Sequence, residues 1–318
     1  MTHSALITGA AGQDGRYLAE LLLGRGYQVY GMVGPDPGEY ASWVAARGPM
    51  MTPVEGDLTD RNSIDELMRS CAPREVYNFA GMSSVGASWH APELYMEING
   101  RGVVRLLESM EAFAPAAHMV QASSAEIFGD PQHSPQNEDT PVAPTNPYGE
   151  SKLMGHVAVQ QARARGLHAS NAIFYNHESP MRPVTFVTGK IADAAARIKL
   201  GLASDVHLGN LDVVRDWGFA GDYVEAMARI ACAERPGDFV VATGEGHTVR
   251  QFAQVAFAYV GLDYERYVVV DPDFFREADA TALVGDSARI RTQLGWTPAM
   301  GFDRLVEMMV DAAMERLS

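Results

Sequence analysis

Short apolar runs alternate with amphipathic stretches through the first half of the chain. Residues 4–8, 28–33, 51–54, 75–79 and 118–122 read as buried strands, while 17–23 and 91–112 carry helical periodicity. Nearly continuous apolar strands separated by helices predict a parallel sheet covered on both faces, a Rossmann-type doubly wound α/β fold. A helix over 147–165 and a strand over 168–175 extend the series. The texture then changes. Residues 176–183 are irregular, 191–200 and 223–232 are helical, 205–208 are extended, and 238–243 form a strand able to rejoin the sheet. Helices over 249–260 and 302–317, with an extended 267–270 between them, finish the chain. The pattern predicts a dinucleotide-binding lobe of residues 1–176 with about 205–243, and a smaller interleaved C-terminal substrate-binding lobe of 177–204 and 244–318. No stretch is rich enough in Pro, Gly or Ser for a flexible linker, so the lobes are expected to pack as one body around a cleft.

Composition narrows the classes. A chain of 318 residues with 47% hydrophobic positions excludes wholesale disorder and suits one large α/β domain or two fused lobes. The net charge of −15 argues against a protein that binds nucleic acid through its general field, and leaves room for a local cationic pocket that takes a phosphate. Cys71 and Cys232 are too few for a disulfide framework or a multi-cysteine zinc site, and they fit a reducing compartment. With no apolar run of about 18 residues and no leader-like start, the expectation is a soluble cytoplasmic protein with no membrane partner. None of the nine histidines stands at ligand spacing to another His or Cys, so no metal is expected.

Two motifs carry chemistry. Thr8-Gly9-Ala10-Ala11-Gly12-Gln13-Asp14-Gly15 follows the first strand and opens the first helix. Glycines at these spacings let the backbone turn tightly and approach a pyrophosphate seated on the helix N-terminus. Gly56-Asp57-Leu58 after the third strand is either an adenine contact, or Asp57 caps the helix that starts near Asp60. The end of the second strand, Val33-Gly34-Pro35-Asp36, shows neither the acid typical of NAD sites nor the arginine typical of NADP sites, so both coenzymes remain open. Further along, Tyr148-Gly149-Glu150-Ser151-Lys152 sets a phenol and an ammonium on one helical face, where the cation is expected to lower the phenol's pKa. Ser123-Ser124-Ala125-Glu126 closes the fifth strand, at the end where ligands of open α/β sheets bind, and an extended backbone would point Ser124 and Glu126 the same way. Serine, tyrosine and lysine in this order specify hydride transfer at an alcohol carbon.

With these motifs the chain resembles the extended short-chain dehydrogenase/reductase family, and within it the GDP-mannose 4,6-dehydratases. The likeness runs through 5–15, 56–60, 121–129 and 147–152, and continues in Asn176-His177-Glu178-Ser179-Pro180, Phe186-Val187-Thr188, Arg215-Asp216-Trp217 and Ala242-Thr243-Gly244-Glu245. The Asn-His-Glu-Ser-Pro run is the most specific of these. The resemblance implies a nucleotide-sugar 4,6-dehydratase, a hydro-lyase with GDP-mannose as favoured substrate and NADP, alternatively NAD, as coenzyme. It implies Ser124, Glu126, Tyr148 and Lys152 as catalytic residues. Gly9, Gly12, Gln13, Asp14, Gly15, Asp57, Leu58, Ala80 and His177, with Tyr148 and Lys152, would hold the coenzyme. Ser83, Asn176, Lys190, Arg215, Arg276 and Asp279 would hold the nucleotide sugar. Tyr148 would take the proton of the sugar 4-hydroxyl and Glu126 the proton on C5, with water leaving C6 and hydride returning there.

A 4-ketoreductase or epimerase of the same family usually lacks this glutamate. A non-catalytic nucleotide-binding protein would have no use for Tyr148, Lys152 and Glu126 together. The family's usual dimer surface falls on the helices over 91–112 and 147–165, so a homodimer is expected. The arginine segment that serves the 2′-phosphate and a tetramer contact in relatives is replaced here by Gly34-Pro35-Asp36-Pro37, which leaves the tetramer open. Met82, Met181 and Gly189 stand where relatives carry Gln, Arg and Arg.

Overall fold

The structure, a computed structural model, describes residues 3–34, 38–274 and 282–318. Six strands follow the first half of the chain: β1 (Ser4–Thr8), β2 (Gln28–Val33), β3 (Met51–Glu55), β4 (Glu75–Asn78), β5 (His118–Ser124) and β6 (Ala169–Phe174). Six more belong to the second half: β7 (Asn176–Glu178), β8 (Val206–Leu208), β9 (Val214–Phe219), β10 (Asp238–Val241), β11 (Gly246–Thr248) and β12 (Val268–Val270). The main sheet is parallel throughout, in the order β10-β6-β5-β4-β1-β2-β3. The chain direction across this sheet reverses between β1 and β4, and the crevice outside their carboxyl ends is where such sheets bind ligands.

Two cores cover the sheet and a third builds the second lobe. One face buries Leu18 and Leu22 of the helix Gln13–Gly24 with Tyr223, Val224 and Met227 of Ala220–Ala231. The other buries Ile64, Leu67 and Met68 of Arg61–Cys71 against Leu106 and Met110 of Gly102–Phe113. The third unites helices Val187–Lys199, Val249–Tyr259 and Phe302–Leu317 around Ile191, Phe252, Phe257 and Val306. Val206, Leu208, Leu211 and Val213 pack in this third core, whereas Ala220–Ala231 and β10 pack on the main sheet. The stretch 205–243, expected to lie whole in the dinucleotide lobe, thus packs its first part with the helices of the third core and its later part on the main sheet.

Two local details go beyond the sequence pattern. The helix expected over 91–112 runs from Pro92 to Phe113, with a π-helical turn Met96–Arg101 between Pro92–Tyr95 and Gly102–Phe113. The π turn directs the buried Asn99 sideways. Its amide accepts from Met82 N at 2.9 Å and donates to Met82 O and Ser151 Oγ, each at 3.0 Å. The segment 176–183, expected to be irregular, starts with β7, which pairs in parallel with β9 in a small sheet completed by the antiparallel β11. β8 and β12 form a separate parallel pair. Among the described residues, no helix is long and apolar enough to cross a membrane. Cys71 is buried and Cys232 exposed, both as free thiols.

Candidate active site

β1 ends at Thr8, whose hydroxyl bonds Asn78 and accepts from Ala80 N at 3.1 Å. Asn78 in turn donates to Gln121 at 2.6 Å, so the carboxyl ends of β1, β4 and β5 are laced together beneath the crevice. The chain then turns at Gly9 with φ +65°, and a Cβ there would lie 2.8 Å from the backbone nitrogen of Ala80. At Gly15 a Cβ would lie 2.5 Å from Ala10 Cα. Gly12 caps the helix Gln13–Gly24 without any side-chain hydrogen bond. The first-turn N–H groups thus meet a backbone shaved of side chains, which fits a pyrophosphate. Gly9→Ala is expected to weaken coenzyme binding at least tenfold, because it adds a left-handed strain to a contact that is too close. A titration following nicotinamide fluorescence measures it, and undiminished affinity would separate the turn from the coenzyme.

The next two residues face the second lobe. Gln13 donates to His177 O at 3.2 Å and accepts from Ser179 Oγ at 2.7 Å, and Asp14 meets His177 Nε2 at 3.0 Å. The other ring nitrogen of His177 bonds Tyr175 O at 2.9 Å, and the ring stacks on Tyr223 with centroids 4.8 Å apart. Both of its nitrogens face acceptors, an arrangement that favours the doubly protonated ring. Burial works against that charge and the Asp14 carboxylate outweighs it, raising the His177 pKa while His177 draws Asp14 down against the same burial. His177, expected to contact the coenzyme, has one ring nitrogen on the glycine turn through Asp14 and the other on Tyr175 O.

Asp57 accepts from Thr59 N and Oγ1, both at 2.8 Å, and the helix Arg61–Cys71 is capped by Asp60 instead. The side chain of Leu58 is buried against Gly102, leaving only its backbone to face a ligand.

The second constellation grows from the end of β5. Ser124 does not continue an extended run into Glu126. It caps a single 3-10 turn, Ala125–Phe128, by accepting from Glu126 N at 3.2 Å. The expected alternation therefore gives way to a turn, with the Ser124 hydroxyl near enough to the Tyr148 phenol to draw its pKa down. Tyr148 stands at the second position of the helix Pro147–Ala164, with Lys152 one turn on. This helix lies close against the π turn: a Cβ on Gly155 would come within 2.8 Å of Asn99 O, and one on Gly100 within 2.7 Å of Met154 Sδ. Only glycines let the two helices approach this far.

Burial pushes the Tyr148 phenol up to about 12, with the nearby Ser124 hydroxyl acting the other way. The cation was expected to draw the phenol down. Instead burial takes the Lys152 ammonium itself down to about 8, with Asp14 opposing, and Lys152 Nζ donates to Ala122 O at 2.5 Å.

Asn146, which the sequence pattern did not single out, caps this helix by accepting from Gly149 N at 2.8 Å and donates to Glu126 Oε2 at 2.8 Å. An Asn directly before a Pro at the first helical position is a cap signal that was there to be read.

A cavity of about 300 Å³ opens between the lobes. Glu126 and Asn146 line one part of it, with Ser83, Asn176, Lys190, Arg215 and Trp217 around the rest. Ser124, Tyr148 and Lys152 are not among its lining residues. Arg276 and Asp279, like Pro35, Asp36 and Pro37, lie outside the described residues. Among the described residues, no three His, Cys, Asp or Glu side chains are grouped to hold a metal ion.

A family model described as GDP-mannose 4,6 dehydratase matches residues 6–309. The chain belongs to the GDP-mannose 4,6-dehydratase family. It is 43% identical to GDP-mannose 4,6 dehydratase 2 of Arabidopsis thaliana over 98% of this chain and 87% of that protein. It is 38% identical to the Homo sapiens GDP-mannose 4,6 dehydratase over 98% and 91%. Among solved structures it resembles the Thermus thermophilus UDP-glucose 4-epimerase in complex with NAD, with TM-score 0.85, 27% identity and 98% of each chain covered. Against that family background, the glycine at 189 has a steric reason: a Cβ there would lie 2.5 Å from Pro183 O. The neighbouring Arg182 turns inward, donating to Glu178 Oε2 at 2.6 Å and to His177 O.

Proposed function

We propose that the protein removes one water from GDP-mannose to give GDP-4-keto-6-deoxymannose, using NADP in preference and NAD as the alternative. One observation carries this reading beyond family membership: Glu126, at the cavity wall, is bonded through Asn146 to the first turn of the helix that bears Tyr148 and Lys152. A dehydration next to a carbonyl needs both a proton acceptor for an alcohol and a second one for a carbon, and the pair supplies them.

Gly9, Gly12 and Gly15 with Ala80, and the backbone around Gln13, hold the dinucleotide, with Asp57 and Leu58 toward its adenine and Lys152 at the nicotinamide ribose. When bound, the coenzyme supplies an acceptor for the C4 hydride and a donor of the same hydride to C6. Ser124 binds the sugar 4-oxygen and Tyr148 takes its proton. Glu126 removes the C5 proton, acidified by the 4-keto group, as the C6 hydroxyl departs as water. Ser83, Asn176, Lys190 and Arg215 hold the nucleotide sugar across the cavity, with Arg276 and Asp279 assigned to its diphosphate and ribose. On this reading the second lobe is the nucleotide-sugar lobe. Arg215→Met is expected to raise KM about ten- to a hundredfold with a smaller change in kcat, as removal of a charge-assisted phosphate contact would. An unchanged KM would take Arg215 out of substrate binding.

The protein works as a homodimer in the cytoplasm on this reading, and a reducing compartment suits its free thiols. The outer face of Gly102–Phe113 and Pro147–Ala164 supports the dimer with a shallow hollow lined by Val104, Leu153, Met154 and Val157. Incubation of the pure protein with a panel of nucleotide sugars, read by mass spectrometry for loss of one water, tests the activity. Net consumption of reduced nicotinamide in that assay would favour a 4-ketoreductase instead.

A further inference from the structure

We infer that Asn146 is a positioning residue for the elimination step, orienting the Glu126 carboxylate relative to the Tyr148 phenol; the inference rests on the function proposed above. Asn146 is 3% exposed and spends its two amide atoms on different elements. Its oxygen accepts from Gly149 N and its nitrogen donates to Glu126 Oε2, both at 2.8 Å. Helix capping alone needs only the oxygen, and Ser, Thr or Asp meet that need equally well. Asn is the capping residue whose donor and acceptor are separate atoms, so it serves the cap and a carboxylate together without sharing an atom between them.

The surroundings amplify the effect. Gly149 has no side chain, and a Cβ there would stand 2.6 Å from Glu126 O, so the turn that carries Glu126 rests directly on the first helical turn. Ser124 Oγ accepts from Glu126 N, which fixes the backbone of the turn. The Asn146 amide is what fixes the Glu126 side chain to the helix. With Oε2 held by that amide, Oε1 is the oxygen that receives a carbon-bound proton in the cavity.

The experiment compares parent enzyme, Asn146→Ser and Asn146→Asp, each loaded with coenzyme and given GDP-mannose. Both variants keep a capping oxygen, so melting temperature and coenzyme affinity are expected to stay close to the parent's. For Asn146→Ser, water loss and solvent-deuterium entry at C5 are expected to fall about tenfold to a hundredfold, the scale of a misplaced reacting group. C4 oxidation continues, so reduced nicotinamide absorbance accumulates in a single turnover. For Asn146→Asp, a second carboxylate facing Glu126 moves the acid limb of the kcat profile to higher pH. Variants whose only change is a lower melting temperature, or whose C4 oxidation and water loss fall in equal measure with an unmoved pH profile, would overturn the inference. A parent enzyme that removes no water from GDP-mannose or any other nucleotide sugar overturns the functional reading, and the role of Asn146 with it.

Discussion

Glu126→Gln is expected to stop water loss while leaving C4 of the sugar able to surrender its hydrogen. The amide matches the carboxylate in size, and its oxygen still accepts from the Asn146 amide that holds Glu126 Oε2 at 2.8 Å, so the wall of the cavity keeps its shape. What disappears is the ability to take a proton from carbon. General-base groups contribute about 10²–10⁴ in rate, and the 4-keto-6-deoxy product is expected to form more slowly by that factor. Because the proposed mechanism gives the proton on the 4-hydroxyl to Tyr148, oxidation at C4 is expected to continue. The reduced coenzyme then has no elimination product to reduce, and its absorbance rises toward one equivalent per site in a single turnover. Equal rates of product formation in parent and variant would remove Glu126 from the elimination.

How far this site was legible in the sequence differs from part to part. The glycine turn and the Tyr148–Lys152 pair could be read because their chemistry depends on local spacing. Three glycines between a strand and a helix, and two side chains one helical turn apart, lead to the same geometry in any such context. The parallel order of the main sheet followed from apolar runs with helices between them. β9 went unseen because Val-Arg-Asp-Trp-Gly-Phe mixes charge with aromatic residues and has no clean alternation. Its charges are explained only by tertiary contacts. Asp216 lies buried and accepts from Thr243 N and Gly244 N at 2.9 Å and from Gly285 N at 3.2 Å, donors that arrive from distant segments. β7 was hidden for the same reason, since its only pairing partner in the small sheet is β9. The π turn was invisible because one extra residue per turn leaves the apolar periodicity of its flanks intact. Asn146 was passed over although its cap signal is local, because its second bond reaches a residue twenty positions back.

The stretch from Ser124 to Glu126 departs from its expected local conformation. Alternation along a strand was expected to point the two side chains the same way. The chain instead enters a 3-10 turn, with Ser124 Oγ accepting from Glu126 N. The phenol's pKa shows the opposite weakness. Spacing placed a cation near Tyr148, but the degree of burial belongs to the whole fold and acts on both groups, pushing the phenol up to about 12 and the ammonium down to about 8. Lys152 is charged below that value and loses its charge as the pH rises through it, so its pull on a phenolate and the hold on the ribose proposed for it are both expected to fade on the alkaline side.

Tyr148→Phe is expected to fail one step earlier than Glu126→Gln, and the two variants are told apart by their spectra. Removing the phenolic oxygen keeps the ring that packs edge-on against Tyr95, with centroids 6.3 Å apart, so the start of the helix stays in place and coenzyme affinity is expected to change less than tenfold. On the proposed reading the 4-hydroxyl then has no acceptor for its proton, because Ser124 is assigned only to binding the 4-oxygen. Turnover falls by about 10²–10⁴, and no reduced nicotinamide appears in a single turnover, in contrast to its accumulation with Glu126→Gln. A variant that kept parental rates, or that accumulated reduced coenzyme, would show that another group takes the hydroxyl proton. The double variant sharpens the comparison. If elimination cannot begin until C4 is oxidised, residues acting on successive steps are non-additive, and adding Glu126→Gln to Tyr148→Phe is expected to leave the spectrum of Tyr148→Phe unchanged. A double variant that did build up reduced coenzyme would require C4 to be oxidised by a route that avoids the phenol.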